Sequence, residues 1–149
     1  MPDILHLTPA DESDLAQPAS VRTRDGVLLA TDVYLPNGDG TPGDTMSIRV
    51  PYDKSGEYTF IPLVAEYFMT RGYRVVAQDV RGKFRSGGEA LLFVNEVRDG
   101  EDTLDWIVAQ PWSNGRVAMW GDSYYGYTQW AAAASGHPAL RAIAPRVTG

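Results

Sequence analysis

Cysteine is absent from the 149 residues, and histidine occurs only twice, at His6 and His137. The missing thiols exclude disulfides, thiolate metal sites and cysteine nucleophiles. Two histidines without cysteine do not make a structural zinc site, so neither a metal nor an organic cofactor is expected. Positive charge is also scarce. Thirteen Lys and Arg stand against nineteen Asp and Glu, a net charge of −6. Nucleic acid and anionic membrane surfaces select for basic patches, and neither is expected as a partner. No stretch approaches the roughly 18 apolar residues that span a bilayer. The first residues, Met1 to Thr8, have neither a basic segment nor an apolar core of the kind that directs secretion, which leaves a cytoplasmic location as the expectation.

What is present is the composition of a folded chain, 44% hydrophobic and 21% charged, at a length that suits one domain with a sizeable core. Residues 1–18 are polar, carry Pro2, Pro9 and Pro18, and read as an irregular lead-in; residues 19–149 read as the domain. Val21 to Leu35 predicts two strands around a turn at Asp25-Gly26, with Leu29, Thr31, Val33 and Leu35 on one face. Short strands follow at 46–50, 74–78, 116–120 and 140–144. Helices are predicted over 61–71, 95–109 and 125–135, where apolar residues recur at helical spacing. Strands alternating with helices imply a mostly parallel sheet with helices on both faces, an α/β fold.

The sharpest local feature is Gly121-Asp122-Ser123-Tyr124-Tyr125-Gly126, where a buried strand runs straight into a helix with a serine in the joint. Such a turn lifts the serine hydroxyl above the sheet edge and aims the next N–H into the same space, at a helix N-terminus. The general Gly-x-Ser-x-Gly pattern is broken here, because Tyr125 holds the fifth place and the glycine comes one residue later. Taken alone, the spacing leaves two readings open: a catalytic Ser123, or Ser123 or Asp122 capping the helix.

Gly-x-Ser-Tyr-x-Gly is the form of this turn in the cocaine esterase and X-Pro dipeptidyl-peptidase group of α/β-hydrolases, which the chain resembles along most of its length. Val50-Pro51-Tyr52-Asp53-Lys54 is similar to the group's segment after the third strand. Residues 77–89, with Gln78-Asp79, Arg81-Gly82 and Ser86-Gly87, are similar to its next loop, and the resemblance continues through 101–107, 110–112 and 115–126. It implies an α/β-hydrolase fold and acyl transfer to water from an ester, amide or X-Pro peptide. Ser123 is then the nucleophile, and Tyr52 and the Tyr124 N–H bind the oxyanion. From the residues alone, Tyr52 reads first as a turn tyrosine after Pro51, packed on the sheet edge; the oxyanion role is what the resemblance implies. Tyr124 is also placed to wall an aromatic substrate pocket.

Other polar clusters have plainer explanations. Asp79 and Arg81 are expected to pair with each other across their loop. Residues 82–88 are glycine-rich, but Gly88 stands where a phosphate-binding loop needs lysine. Glu96, Asp99, Glu101, Asp102 and Asp105 are expected to form a solvated helix face. Trp106, Trp112, Trp120 and Trp130 are expected in the core and at helix–sheet contacts.

A serine nucleophile needs a base oriented by a carboxylate. His6 lies in the lead-in, His137 lies beyond the helix that follows Ser123, and no Asp or Glu occurs after Asp122. The expectation is therefore the N-terminal portion of an α/β-hydrolase domain, incomplete at the C-terminus and ending at the sixth of eight strands. A downstream segment or a second copy of the chain is expected as its partner. The alternatives are a truncated or decayed, non-catalytic relative used for binding, and an unrelated doubly wound ligand-binding domain. The latter is disfavoured because no glycine-rich dinucleotide turn follows the first strand.

Overall fold

The computed structural model describes residues 15–38 and 40–148. His6 and most of the predicted lead-in lie outside them. Six strands form one sheet: β1 (Gln17–Arg22), β2 (Leu28–Tyr34), β3 (Gly43–Val50), β4 (Arg74–Asp79), β5 (Ser113–Asp122) and β6 (Leu140–Arg146). Their spatial order is β1-β2-β4-β3-β5-β6. The opening hairpin turns at Gly26, and both β1–β2 and β2–β4 are antiparallel. The pairings β3–β4, β3–β5 and β5–β6 are parallel, so the sheet is mixed with a parallel majority. β1 begins at Gln17, two residues inside the predicted lead-in.

Three helices cross between the parallel strands: α1 (Ile61–Met69), α2 (Glu96–Val108) and α3 (Ser123–Ala134). From β3 the chain passes through α1 to β4 on one side, then returns through α2 to β5 on the other side of β3. Right-handed crossovers in opposite directions put α1 on one face and α2 with α3 on the other. Ile48, Val50, Val75 and Ala77 pack with Ile61 and Ala65 on the α1 face. Val33, Val76, Val117 and Met119 pack with Leu104, Ile107 and Ala132 on the opposite face. The period-2 alternation of β4 feeds both clusters, which is why all six of its residues are buried.

The change of direction makes a topological switch at the carboxyl ends of β3 and β5, where open α/β sheets form their ligand crevice. Tyr52 follows β3 there and Ser123 follows β5. Trp130 departs from the sequence reading. It lies on the outer side of α3 and is 54% exposed, whereas Trp112 is in the core and Trp106 and Trp120 pack against it.

Candidate active site

β5 passes into α3 with no intervening loop, since Asp122 ends the strand and Ser123 begins the helix. Ser123 carries the whole change of direction, with φ +50°. A non-glycine residue in this left-handed region costs on the order of 1–3 kcal/mol and persists only where its surroundings enforce it. Two glycines make the joint tight enough. A Cβ on Gly121 would stand 1.9 Å from Tyr125 Cδ2, and one on Gly126 would stand 3.0 Å from Thr148 Cβ. Tyr125 thus occupies the fifth place of the motif by laying its ring against Gly121, and the second glycine is displaced to where β6 ends.

The capping alternative is not what the joint does. Asp122 stands at the N-cap position without a side-chain capping bond, and its carboxylate instead accepts from Arg146 Nε at 3.0 Å. Ser123 is exposed, and its hydroxyl has no hydrogen bond among the described residues.

Tyr52 follows β3 at the same end of the sheet. Its ring meets those of Tyr58 and Tyr125 edge-on, with centroids 6.1 and 6.0 Å apart. Two residues on, Lys54 is 1% exposed and anchors the loop: its Nζ is 3.0 Å from Asp79 Oδ2 and 3.5 Å from Asp32 Oδ2. Burial pushes the Asp32 carboxyl above the usual carboxylate range, and Lys54 opposes the rise. The expected Asp79–Arg81 pair is therefore replaced. Asp79 holds Lys54, while Arg81 reaches Asp99 at 2.7 Å and Asp25 at 2.7 Å. Both groups do tie down their loop, but to partners remote in sequence.

The acidic helix face is corrected in the same way. Glu96 and Asp99 are buried. Arg49, itself 1% exposed in β3, donates to Glu96 Oε2 at 2.8 Å and to Gln78 Oε1 at 2.6 Å. Arg24 pairs with Glu101 and Asp102. Only Asp105 is mostly open to solvent, and it accepts from His137 Nε2 at 2.8 Å. Because His137 Nδ1 accepts the Ala139 N–H, the ring proton sits on Nε2. His137 lies past the far end of the 12-residue α3, about 18 Å along its axis from Ser123, and is not a base for it.

Tyr124, next to Ser123, is fixed by this buried network. Its hydroxyl donates to Glu96 Oε1 at 3.1 Å and accepts from the Phe93 N–H at 3.0 Å. Burial and the Glu96 carboxylate push its phenol up to about 12, so it remains a donor at any working pH. Thr128 Oγ1 donates to Arg49 O at 3.0 Å and pins α3 to β3.

Two clefts meet at this point. The larger, about 780 Å3, is walled by Tyr58, Phe60, Leu63 and Trp120, and the smaller, about 310 Å3, by Phe93, Tyr124 and Tyr127. Tyr52, Ser123 and Val147 line both. Five non-glycine residues have positive φ among the described residues: Phe60, Phe84, Phe93, Ser123 and Val147. All but Phe84 line the clefts, so backbone strain is concentrated where the exposed serine is. Reasoning from the sequence placed Ser123, Tyr52 and Tyr124 and missed Phe60, Phe93 and Val147, whose strain has no local signature. Arg49 did leave one: a lone arginine between Ile48 and Val50 in a buried strand requires an acidic partner.

Comparison with known proteins identifies relatives of this chain. The chain is 46% identical over 133 residues to the cocaine esterase of Rhodococcus sp. strain MB1 Bresler, a match covering 88% of this chain and 23% of that protein. The structure superposes on an α-amino acid ester hydrolase with a TM-score of 0.77 at 33% identity, over 92% of this chain and 26% of the other. It superposes on an aminopeptidase of a marine sediment Thaumarchaeota archaeon with a TM-score of 0.76 at 31% identity, over 96% and 27%. The chain thus spans about a quarter of the length of these relatives, and its sheet is that of an α/β-hydrolase. The family model described as X-Pro dipeptidyl-peptidase (S15 family) matches from Asp25 to Gly149, and on that match the chain belongs to this family.

Proposed function

We propose that residues 15–148 hold the nucleophile and the oxyanion-binding half of a serine acyl hydrolase. The observation that carries the reading is Ser123 itself: exposed, strained at φ +50°, without a hydrogen bond among the described residues, and shared by two clefts with Tyr52. Ser123 Oγ attacks the carbonyl of an ester, amide or X-Pro peptide. The C=O π pair moves onto oxygen, where the Tyr52 O–H and the Tyr124 N–H stabilise it. Collapse expels the alcohol or amine and leaves an acyl-Ser123, which water then hydrolyses. The proton from Oγ needs a base; His137 is about 18 Å from Ser123 along α3, so we assign the base and its carboxylate partner to a segment of the full-length protein outside residues 15–148. Esterase and peptidase names among the relatives fit this chemistry without choosing the substrate.

The test is covalent labelling of the full-length protein. A fluorophosphonate should modify Ser123, and Ser123→Ala should abolish the adduct; undiminished labelling of the variant removes the nucleophile from the reading. Tyr52→Phe should lower kcat by roughly 10²–10³ with little change in KM, as expected for a donor used only in the transition state. An unchanged kcat would make Tyr52 a packing residue.

A further inference from the structure

Asp122 has the backbone of a helix N-cap, with φ −106° and ψ 164°, but its side chain makes no capping bond to α3. Aspartate is among the best N-cap residues: its carboxylate accepts from the second or third N–H of the helix, where the helix dipole also favours negative charge. In α3 those are the N–H groups of Tyr124 and Tyr125, because Ser123 is the first helical residue. The carboxylate is turned to Arg146 instead. Arg146 Nε donates to Oδ1 at 3.0 Å and Nη2 donates to Oδ2, a bidentate pair. The sheet sets this meeting: Asp122 ends β5, Arg146 ends β6, and the two are register partners in the parallel pairing. The Arg146 side chain is 74% exposed, and an ion pair that open to water contributes little to folding. Both residues line the larger cleft beside Ser123 and Tyr52.

We infer that Arg146 is a positioning residue that holds the Asp122 carboxylate off the start of α3 and so leaves the Tyr124 N–H free for the oxyanion. This rests on the reading of Ser123 as nucleophile and of the Tyr124 N–H as oxyanion donor. Two acceptors compete for that one N–H. The carboxylate is tethered one residue before Ser123, so its effective concentration there is high, whereas the oxyanion exists only during turnover. Without a partner of its own, the carboxylate would take the N–H in the resting protein and repel the charge that develops on the carbonyl oxygen. Arg146 removes both effects, because its planar fork satisfies both carboxylate oxygens and brings a compensating positive charge. The reach of the arginine is fixed from the sheet. A Cβ on Gly126 would stand 3.3 Å from Arg146 O, so α3 is seated directly on the backbone that carries the guanidinium.

The experiment is a double-mutant cycle in the full-length protein with phenyl acetate, a neutral ester that offers Arg146 no charge to bind. Arg146→Met should lower kcat about 10- to 100-fold with little change in KM, since the blocked donor acts in the transition state. In the Asp122→Ala background, where no carboxylate can reach the helix, Arg146→Met should change kcat by less than about twofold. An equal loss in both backgrounds, or no loss in either, overturns the inference. Urea unfolding separates positioning from support. Arg146→Met should be as stable as wild type or more so, because the released carboxylate gains a cap. A loss of stability parallel to the loss of kcat would make Arg146 a structural residue and overturn its positioning role. Ser123→Ala is assayed beside them, and turnover that survives it overturns the nucleophile reading. The inference is then decided without turnover, by the crystal structure of the full-length Arg146→Met protein. An Asp122 carboxylate oxygen within about 3.2 Å of the Tyr124 nitrogen supports it, and a carboxylate placed anywhere else overturns it.

Discussion

On the α1 face of the sheet, Ile48, Val50, Val75 and Ala77 meet Ile61 and Ala65 in an apolar cluster, and charge is buried only beside it, where Lys54 pairs with Asp79 and Asp32. On the opposite face the apolar cluster of Val33, Val76, Val117 and Met119 is joined by buried polar groups. At the carboxyl ends of β3 and β4, Arg49 and Gln78, with Thr31 of the antiparallel β2, form a hydrogen-bonded layer with Glu96 and Thr103 of α2. The difference teaches what each material is for. Apolar burial is non-directional and scales with area, so it stabilises the α1 contact without setting any one group's aim. Charged hydrogen bonds have fixed lengths and angles, and this layer continues through Tyr124 to the peptide that follows Ser123. This layer is the one that holds Tyr124 beside Ser123, as Lys54 holds the loop of Tyr52.

The largest expected effect comes from breaking that layer on one side only. Arg49→Met leaves Glu96 buried and unpaired, which should cost about 3–5 kcal/mol in urea unfolding and slow fluorophosphonate labelling of Ser123. Adding Glu96→Gln should recover part of the stability but not the labelling rate. Recovery of both would reduce the layer to a packing element. On the apolar face, Ile48→Val should cost about 0.5–1.5 kcal/mol by removing one methylene from a fully buried side chain, with the labelling rate unchanged. A loss of labelling equal to that of Arg49→Met would erase the contrast between the faces.

The smallest effect concerns Asp25, which joins the hairpin turn to Arg81 and so to Asp99 of α2. Hydrogen bonds from Arg81 and Thr23 hold its carboxyl well below the usual range. A depressed carboxyl contributes stability that is present above the unfolded value near pH 4 and is lost as the pH falls below it. Asp25→Asn should therefore flatten the fall in stability below about pH 4, measured by denaturant titration. An identical slope in the variant would show that the exposed part of this network contributes nothing measurable.

The amino-acid sequence by itself determined the order of the elements and the joint that holds Ser123. Apolar periodicity and turn residues are local, and they marked all three helices and the parallel strands to within a few residues. The Gly121-to-Gly126 run likewise marks a tight turn, because a Cβ on Gly121 would run into the ring of Tyr125, four residues on. Tertiary structure alone decided the partners of charge. Asp79 and Arg81 are two residues apart, yet β4 ends between them, so one carboxylate turns to Lys54 and the guanidinium to Asp99. Glu96 and Asp99 have the spacing of a solvated face, and only the approach of α2 to β3 and to the loop after β4 buries them against Arg49 and Arg81. The strained Phe60, Phe93 and Val147 belong to the same class, since a positive φ in a bulky residue is imposed by contacts that arrive from other elements. A chain specifies its short-range geometry through each residue's own sterics. The pairing of buried charges and the walls of a cleft depend on which distant segments the fold brings within a few ångströms.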